Sequence, residues 1–378
     1  MSWLSGWSYR RAVTITEQSG STLTDYQVRI DLNSSNFDFS KANSDGSDIR
    51  FTEDDGETLL PYWIEKWDNV SEEAVIWVKV PSIPANSDVT IYMYYGNSEA
   101  VSESDGEAVF EFFDDFEGSS LDTNKWVKTG GTETVENSIL SFHSGVKAEH
   151  YYIYSSQTFS YPIILRIRTK LDNPNPGVSG HAKAVGLGNK GAGVSSYDRA
   201  TYRWQSGDGL YDIAVINNIN SSKNELNATI FLDWFTGEIV WHDTSKVDFY
   251  KDDSLLHTFT TNIPNDPMNV EFNTAGSGYI YVDWVAVRKY AEQEPTATVG
   301  SETSPTISGT VKLPDGTPVQ GATVISIRED TFEIVDIKTS ESDGSYTLSA
   351  TGGVNNTVIV IPSSADQNGD IKCHIQPT

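Results

Sequence analysis

DIRFTEDDGETLLPYWIE at residues 48–65, followed by AVIWVKVP at 74–81 and TIYMYYGN at 90–97, is the stretch whose reading decides the fold. In the middle segment Ile76, Val78 and Val80 fall on one side of an extended chain, with Trp77 and Lys79 on the other. A period of two is that of a strand with one buried face. The pattern continues outward. In VRIDLN, Val28, Ile30 and Leu32 oppose Arg29 and Asp31; in ILRIRTKL, Leu165, Ile167 and Leu171 oppose Arg166, Arg168 and Lys170. Turn clusters NSDGSD, EDDGE, PDGT and SDGS separate such runs, and no long segment carries helical apolar spacing. The expected fold class is all-β, built of sandwiches or jelly rolls.

The chain has 378 residues, 38% of them apolar, and its 10 Trp, 18 Tyr and 15 Phe are enough for more than one core. A formal net charge of −27 repels phosphate backbones, so no nucleic-acid partner is expected. The single cysteine, Cys373, allows neither an internal disulfide nor a thiolate metal cluster. No apolar run reaches the length of about 18 residues that would suggest membrane insertion. The opening MSWLSGWSYRRAVTIT lacks the pattern of a signal peptide. From that follow three expectations: a chain that stays in the cytoplasm, one that leaves inside a larger particle, or one whose signal was removed for expression.

Three modules are expected, over residues 1–110, 111–291 and 306–378. AEQEPTATVGSETSPT lies between the second and third; rich in Thr, Ser, Glu and Pro and without apolar periodicity, it is read as a linker over 292–305.

The first module resembles the family of unknown function DUF2341, through WSYRRAVTI near the start, DIRF at 48–51, LLPYWIE at 59–65, IWVKVP at 76–81 and YYGN at 94–97. That family occurs in large archaeal and bacterial surface proteins and in viral ones, and supplies no catalytic residues to carry over. DDFEG at 114–118 with Trp126, and VDWVAVR at 282–288, make the second module resemble the first and last strands of a concanavalin A-like lectin/glucanase jelly roll, similar to laminin-G-like domains. ISGTVKLPDGTPVQGATVISI at 307–327 and SDGSYTLSA at 342–350 make the third resemble a carboxypeptidase regulatory-like, transthyretin-like sandwich. Such modules act as spacers and attachment domains.

The jelly-roll resemblance implies a calcium ion where first and last strands meet, held by Asp115, Glu117, the Gly118 carbonyl and Asp283. Carboxylate and carbonyl oxygens are the ligands a hard cation takes. Glucanases of this fold also carry acid and base carboxylates on one strand, as Glu-x-Asp-x-x-Glu. The closest segment, GEIVWHD at 237–243, has Glu238 and Asp243 on opposite faces, so no enzymatic activity is expected. The six histidines show no metal-ligand spacing, and GLGNKGAGVSS at 186–196 lacks the ending of a phosphate loop and is read as a hairpin loop. Tyr202, Trp204, Trp234 and Trp241 remain as candidate ligand-binding residues. Their rings suit stacking on sugars, with Asp208, Asp212 and Asn217 near enough in sequence to bind hydroxyls.

The expected function is therefore non-catalytic: a virion surface protein of an archaeal or bacterial virus, of tail-fibre, turret or decoration type. Its expected partners are a host-surface glycan or glycoprotein, other virion proteins and further copies of itself. The alternatives are a secreted carbohydrate-binding or glycan-processing surface protein, and a purely structural virion subunit.

Overall fold

The structure is a computed structural model that describes residues 3–146, 149–172, 182–189, 198–205, 210–217, 220–226, 230–276, 278–313, 315–329, 331–350, 352, 355–361 and 372–376. Regular structure among them is strand throughout, apart from a 3-10 turn at Phe39–Lys41 and a four-residue helical turn at Gly106–Val109. The all-β expectation holds. The chain divides into two compact units, one made of Met1–Asp105 with Gln293–Thr378, the other of Gly106–Glu292.

In the first unit, strands Leu23–Asn33, Glu73–Ile83 and Tyr62–Asp68 form one antiparallel sheet. Val28 pairs with Val78 and Ile30 with Ile76, and all four are buried. Trp77, expected on the solvent side, is buried as well: its indole N–H donates to Glu65 Oε2 at 2.7 Å. An aromatic that large gains from cover wherever its polar tip finds an acceptor.

The DIRF and YYGN segments prove to be two halves of one contact. Asp48 is fully buried; its Oδ2 accepts the backbone N–H groups of Gly96 at 2.6 Å and Asn97 at 3.2 Å, and its Oδ1 that of Asn43 at 2.8 Å. Gly96 sits at φ +84°, and a Cβ there would come within 2.6 Å of the Tyr9 ring. Arg50 donates to the Tyr62 hydroxyl at 3.1 Å and pairs with Glu103 at 3.0 Å.

The second sheet of this module overturns the expected linker. Its order is Thr296–Thr303, Tyr9–Thr16, Asp88–Tyr95, Arg50–Thr52, Leu59–Leu60. Thr296–Thr303 thus runs antiparallel to Tyr9–Thr16, with Thr14 opposite Thr298 and Ile15 opposite Ala297. The segment lies at a sheet edge with exposed and half-buried residues, which explains its lack of apolar periodicity. What holds it is the row of backbone groups that Tyr9–Thr16 would otherwise leave unpaired. The first module is discontinuous, and the second unit is inserted into it.

The third module has two three-stranded sheets. Thr306–Lys312 is central in one, and Thr323–Arg328, between Ile334–Thr339 and Asn356–Ile361, in the other. Val311, Val324, Tyr346 and Leu348 fill the small core.

The second unit is a sandwich of an eight- and a seven-stranded sheet. Leu165, Ile167, Val285 and Val287 from the first meet Val185, Leu187, Ile213 and Phe272 from the second in one core. Phe112–Asp114 pairs with Ile280–Lys289, so the first and last strands do lie side by side, as expected. Arg166 points away from the core yet is buried, ion-paired with Asp253 at 2.8 Å and with Glu238 at 3.4 Å. Arg288 reaches the same Glu238 carboxylate at 3.0 Å. Burial alone would raise the Glu238 carboxyl, but the two guanidinium groups hold it below the usual carboxylate range.

Candidate functional site

The four aromatics singled out from sequence do not form a site. Tyr202 and Trp241 are fully buried members of the sandwich core. The Tyr202 hydroxyl donates to the carbonyls of Glu238 and Tyr250, at 2.7 and 2.5 Å, and its ring meets Phe231, Phe235 and Phe249 edge-on. The reason is parity: Tyr202 shares its strand face with Ala200, which also lies in the core. Trp204 lies on the same strand, opposite Tyr211 and Lys183; its side chain is outside the described residues, as is Asp208. Trp234 alone is half-buried, with Lys170 5.2 Å from its ring.

The expected calcium ligands are not brought together either. Asp283 faces Arg168 at 3.5 Å, and Glu117 accepts from the Ser138 hydroxyl at 2.9 Å. Asp115 is raised by burial and by its neighbours Glu117 and Asp114. The carboxylate that turns inward is Asp114, which accepts the Trp126 indole N–H at 2.5 Å and the Phe116 backbone N–H at 2.7 Å. Among the described residues no group of three or more His, Cys, Asp or Glu is placed to hold a metal ion.

A different surface has the features of a site: the face of the seven-stranded sheet turned away from the core. Its middle strand, Ala182–Gly188, places only Ala182, Ala184, Gly186 and Gly188 on that face. A Cβ at Gly186 would come within 2.4 Å of the Ala200 carbonyl and 2.9 Å of Ile239 Cδ1 in the core, and one at Gly188 within 2.8 Å of Glu271 Oε1, so neither position has room for a side chain. The strands on either side carry longer polar side chains. Asn273 and Glu271 on one side stand opposite Ala184 and Gly186, as Arg203 and Thr201 do on the other. Those walls are two strand spacings apart, about 10 Å. Beyond the first wall come Tyr152, opposite Asn273, and Tyr154, opposite Glu271, both half-buried.

The walls are wired internally. Arg199 reaches Glu271 at 3.3 Å, and Arg203 grips Asp212 through two contacts, one at 2.9 Å. His150 Nδ1 lies 3.1 Å from Asn273 Oδ1, whose amide donates to the Tyr151 carbonyl at 3.2 Å. Thr201 Oγ1 and Asn269 Oδ1 are buried and find no hydrogen-bond partner among the described residues. Among the described residues of the trough, Ala184, Gly186, Gly188, Thr201, Glu271 and Asn273 are buried, and only the edge residues His150, Tyr152, Tyr154, Ala182 and Arg203 are open to solvent. Next to Ala182, Lys183 points to the core side and is 1% exposed; burial pushes its ammonium down to about 8, with Asp172 opposing the shift.

Glu271 and Asp212 lie three strand spacings apart, about 14 Å, beyond the roughly 5–9.5 Å of a glycosidase pair. Asp212 does stand opposite Glu225, but Arg203 grips the first, and Lys223 the second at 2.7 Å. A carboxylate clasped by a cation is the reverse of a proton-holding acid catalyst. Sequence reasoning missed this face although a signal was present. NVEFNTA at 269–275 alternates Asn269, Glu271 and Asn273 with core residues, beside a strand whose other face is only Ala and Gly.

A family model described as "Domain of unknown function (DUF2341)" matches residues 45–129. An uncharacterized protein of Methanocaldococcus jannaschii is 30% identical over 185 residues, 44% of this chain and 31% of that protein. The chain thus spans about a third of the length of the curated relative it matches. Among solved structures, a Bacillus licheniformis beta-glucanase is similar at 15% identity and a TM-score of 0.38, over 47% of this chain and 98% of that one. A pseudo beta-1,3-glucanase of Mycobacterium tuberculosis is similar at 16% identity and a TM-score of 0.39, over 48% and 99%.

Proposed function

We propose that this protein is a non-catalytic saccharide-binding protein displayed on a surface. The observation that carries the reading is the trough on the seven-stranded sheet: a floor of Ala and Gly, two polar walls, and Tyr152 and Tyr154 along one rim. The floor and the inner walls are buried, so a saccharide meets this face at its half-exposed edge, along Tyr152, Tyr154, Ala182 and Arg203. Polar walls engage hydroxyls, and tyrosine rings cover the apolar faces of the sugar. The separated, cation-bound carboxylates support binding without hydrolysis. In its finer form the proposal is a virion component that engages a host-surface glycan or glycoprotein. The charge of −27, which disfavours contact with a packaged genome, supports that form. Immunogold labelling of intact particles against host envelopes decides where the protein is displayed.

A glycan array followed by calorimetric titration of the best ligand tests the binding. Tyr152→Ala and Tyr154→Ala are each expected to weaken it about five- to tenfold, while the Phe variants keep most of it. No saccharide bound, or Ala variants that bind like the wild type, overturns the reading. Turnover of a bound polysaccharide that Glu271→Gln or Asp212→Asn abolishes overturns its non-catalytic part.

A further inference from the structure

The outer face of one sheet in the third module is built as a contact surface. Thr323–Arg328 lies between Ile334–Thr339 and Asn356–Ile361. Their register sets Ile337, Ile325 and Ile359 in one row, and Ile334 beside Ile327 in the next; Ile361 opens the third. Thr323, Thr339 and Thr357 complete this grid of three by three. All nine positions are β-branched and none is charged. The other face of the sheet holds the core, with Val324, Val358 and Val360. The outer isoleucines are open to solvent: Ile334 is 58% exposed, Ile337 52%, Ile361 48% and Ile359 40%. Phe332, 81% exposed, precedes them at φ +59°, a backbone region that aromatic residues rarely occupy. The regularity of this grid, rather than its area, is what points to a contact surface.

We propose that this isoleucine face is the contact between two copies of this chain. Three features select that occupant. First, the chain carries −27, so two copies repel wherever acidic surfaces meet, and a grid with no charged position, Glu329 standing at its edge on the Thr357 hydroxyl at 2.7 Å, lets them approach. Second, a flat grid of β-branched residues is complementary to itself. Two such sheets stack face to face, about 10 Å apart, around a two-fold axis, as the sheets of a sandwich do. Third, the grid offers no cation for an anionic lipid or sugar and no fork for a charged peptide. Three strands of five or six residues give a footprint of roughly 14 by 20 Å. That is below the roughly 800 Å² per partner of a standard interface, so the dimer is weak and reversible, and it gains when many copies are displayed together.

Sedimentation equilibrium of the full chain from about 1 µM to about 1 mM tests this. Wild type is expected to pass from monomer to dimer across that range, with association strengthened by added salt as the acidic repulsion is screened. Ile337→Glu and Ile359→Lys, both at exposed positions, should remain monomeric throughout with unchanged melting curves, while Ile337→Val should dimerise. A wild type monomeric at every concentration overturns the proposal, as does a folded Ile337→Glu or Ile359→Lys variant that dimerises like the wild type. Flotation of a monomeric wild type with phosphatidylcholine vesicles overturns it in favour of a lipid surface.

Discussion

Single residues explain why some sequence signals were legible and others were not. Asp48 and Gly96 stand out in the sequence as parts of two short segments, but their reason is one buried carboxylate closing a turn 48 positions away. Patterning cannot state such a pairing, because strand register is set by tertiary contact. Tyr202 failed for a related reason. Alternation identifies two faces of a strand without saying which is wet, and an aromatic fits either. Lys183 offers a residue-scale test of how dry the core end of its strand is. Its ammonium stands at about 8 in the folded protein against an ordinary 10.5. Below pH 8 both states carry the charge, and the folded state bears the full cost of burying it. Between pH 8 and 10.5 the folded state releases the proton while the unfolded chain keeps it, so stability rises with pH. The wild type should therefore gain on Lys183→Met by about 3 kcal/mol across that window. Paired thermal melts at stepped pH check the difference; parallel curves would show that Lys183 is hydrated.

Whole strands show the limit of composition as a guide. TATVGSET at 296–303 has the makeup of a linker and the role of an edge strand, because its ladder to Tyr9–Thr16 is made of backbone bonds indifferent to side chain, with contacts such as Thr303 Oγ1 to the Arg10 carbonyl added to it. Proline distinguishes the two cases. Of Thr298→Pro and Val299→Pro, the one whose N–H faces Tyr9–Thr16 is expected to lower the melting temperature of the first unit by several degrees, and the other to be tolerated, because N–H groups alternate in direction along an edge strand. Differential scanning calorimetry should show the second unit's transition unmoved. A linker would tolerate both changes silently. The strand runs around 28–32, 76–80 and 165–171 were readable beforehand because each has one apolar face. Arg166 was misread as solvent-facing, since a buried ion cluster with Glu238 and Arg288 looks in sequence like any polar face.

At the scale of the whole molecule the all-β class, the DUF2341-like stretch and the jelly-roll region were visible in the sequence, but the nesting of the second unit was not, because a chain is read in series. The second unit carries its own core and joins its first and last strands, so Gly106–Glu292 expressed alone should fold and melt cooperatively. Circular dichroism on that fragment is the check; a broad, non-cooperative melt would show that it depends on the surrounding chain. The same nesting orders events during synthesis. Tyr9–Thr16 leaves the ribosome early, but its neighbour Thr296–Thr303 follows only after the whole insert. At about 5–20 residues per second the delay is on the order of tens of seconds. Throughout that time the nascent chain presents a bare strand edge, which polysomes carrying several copies would bring together. Once the insert has folded, the two ends of that long loop stand side by side, and the late strand docks at the entropic cost of a short connection.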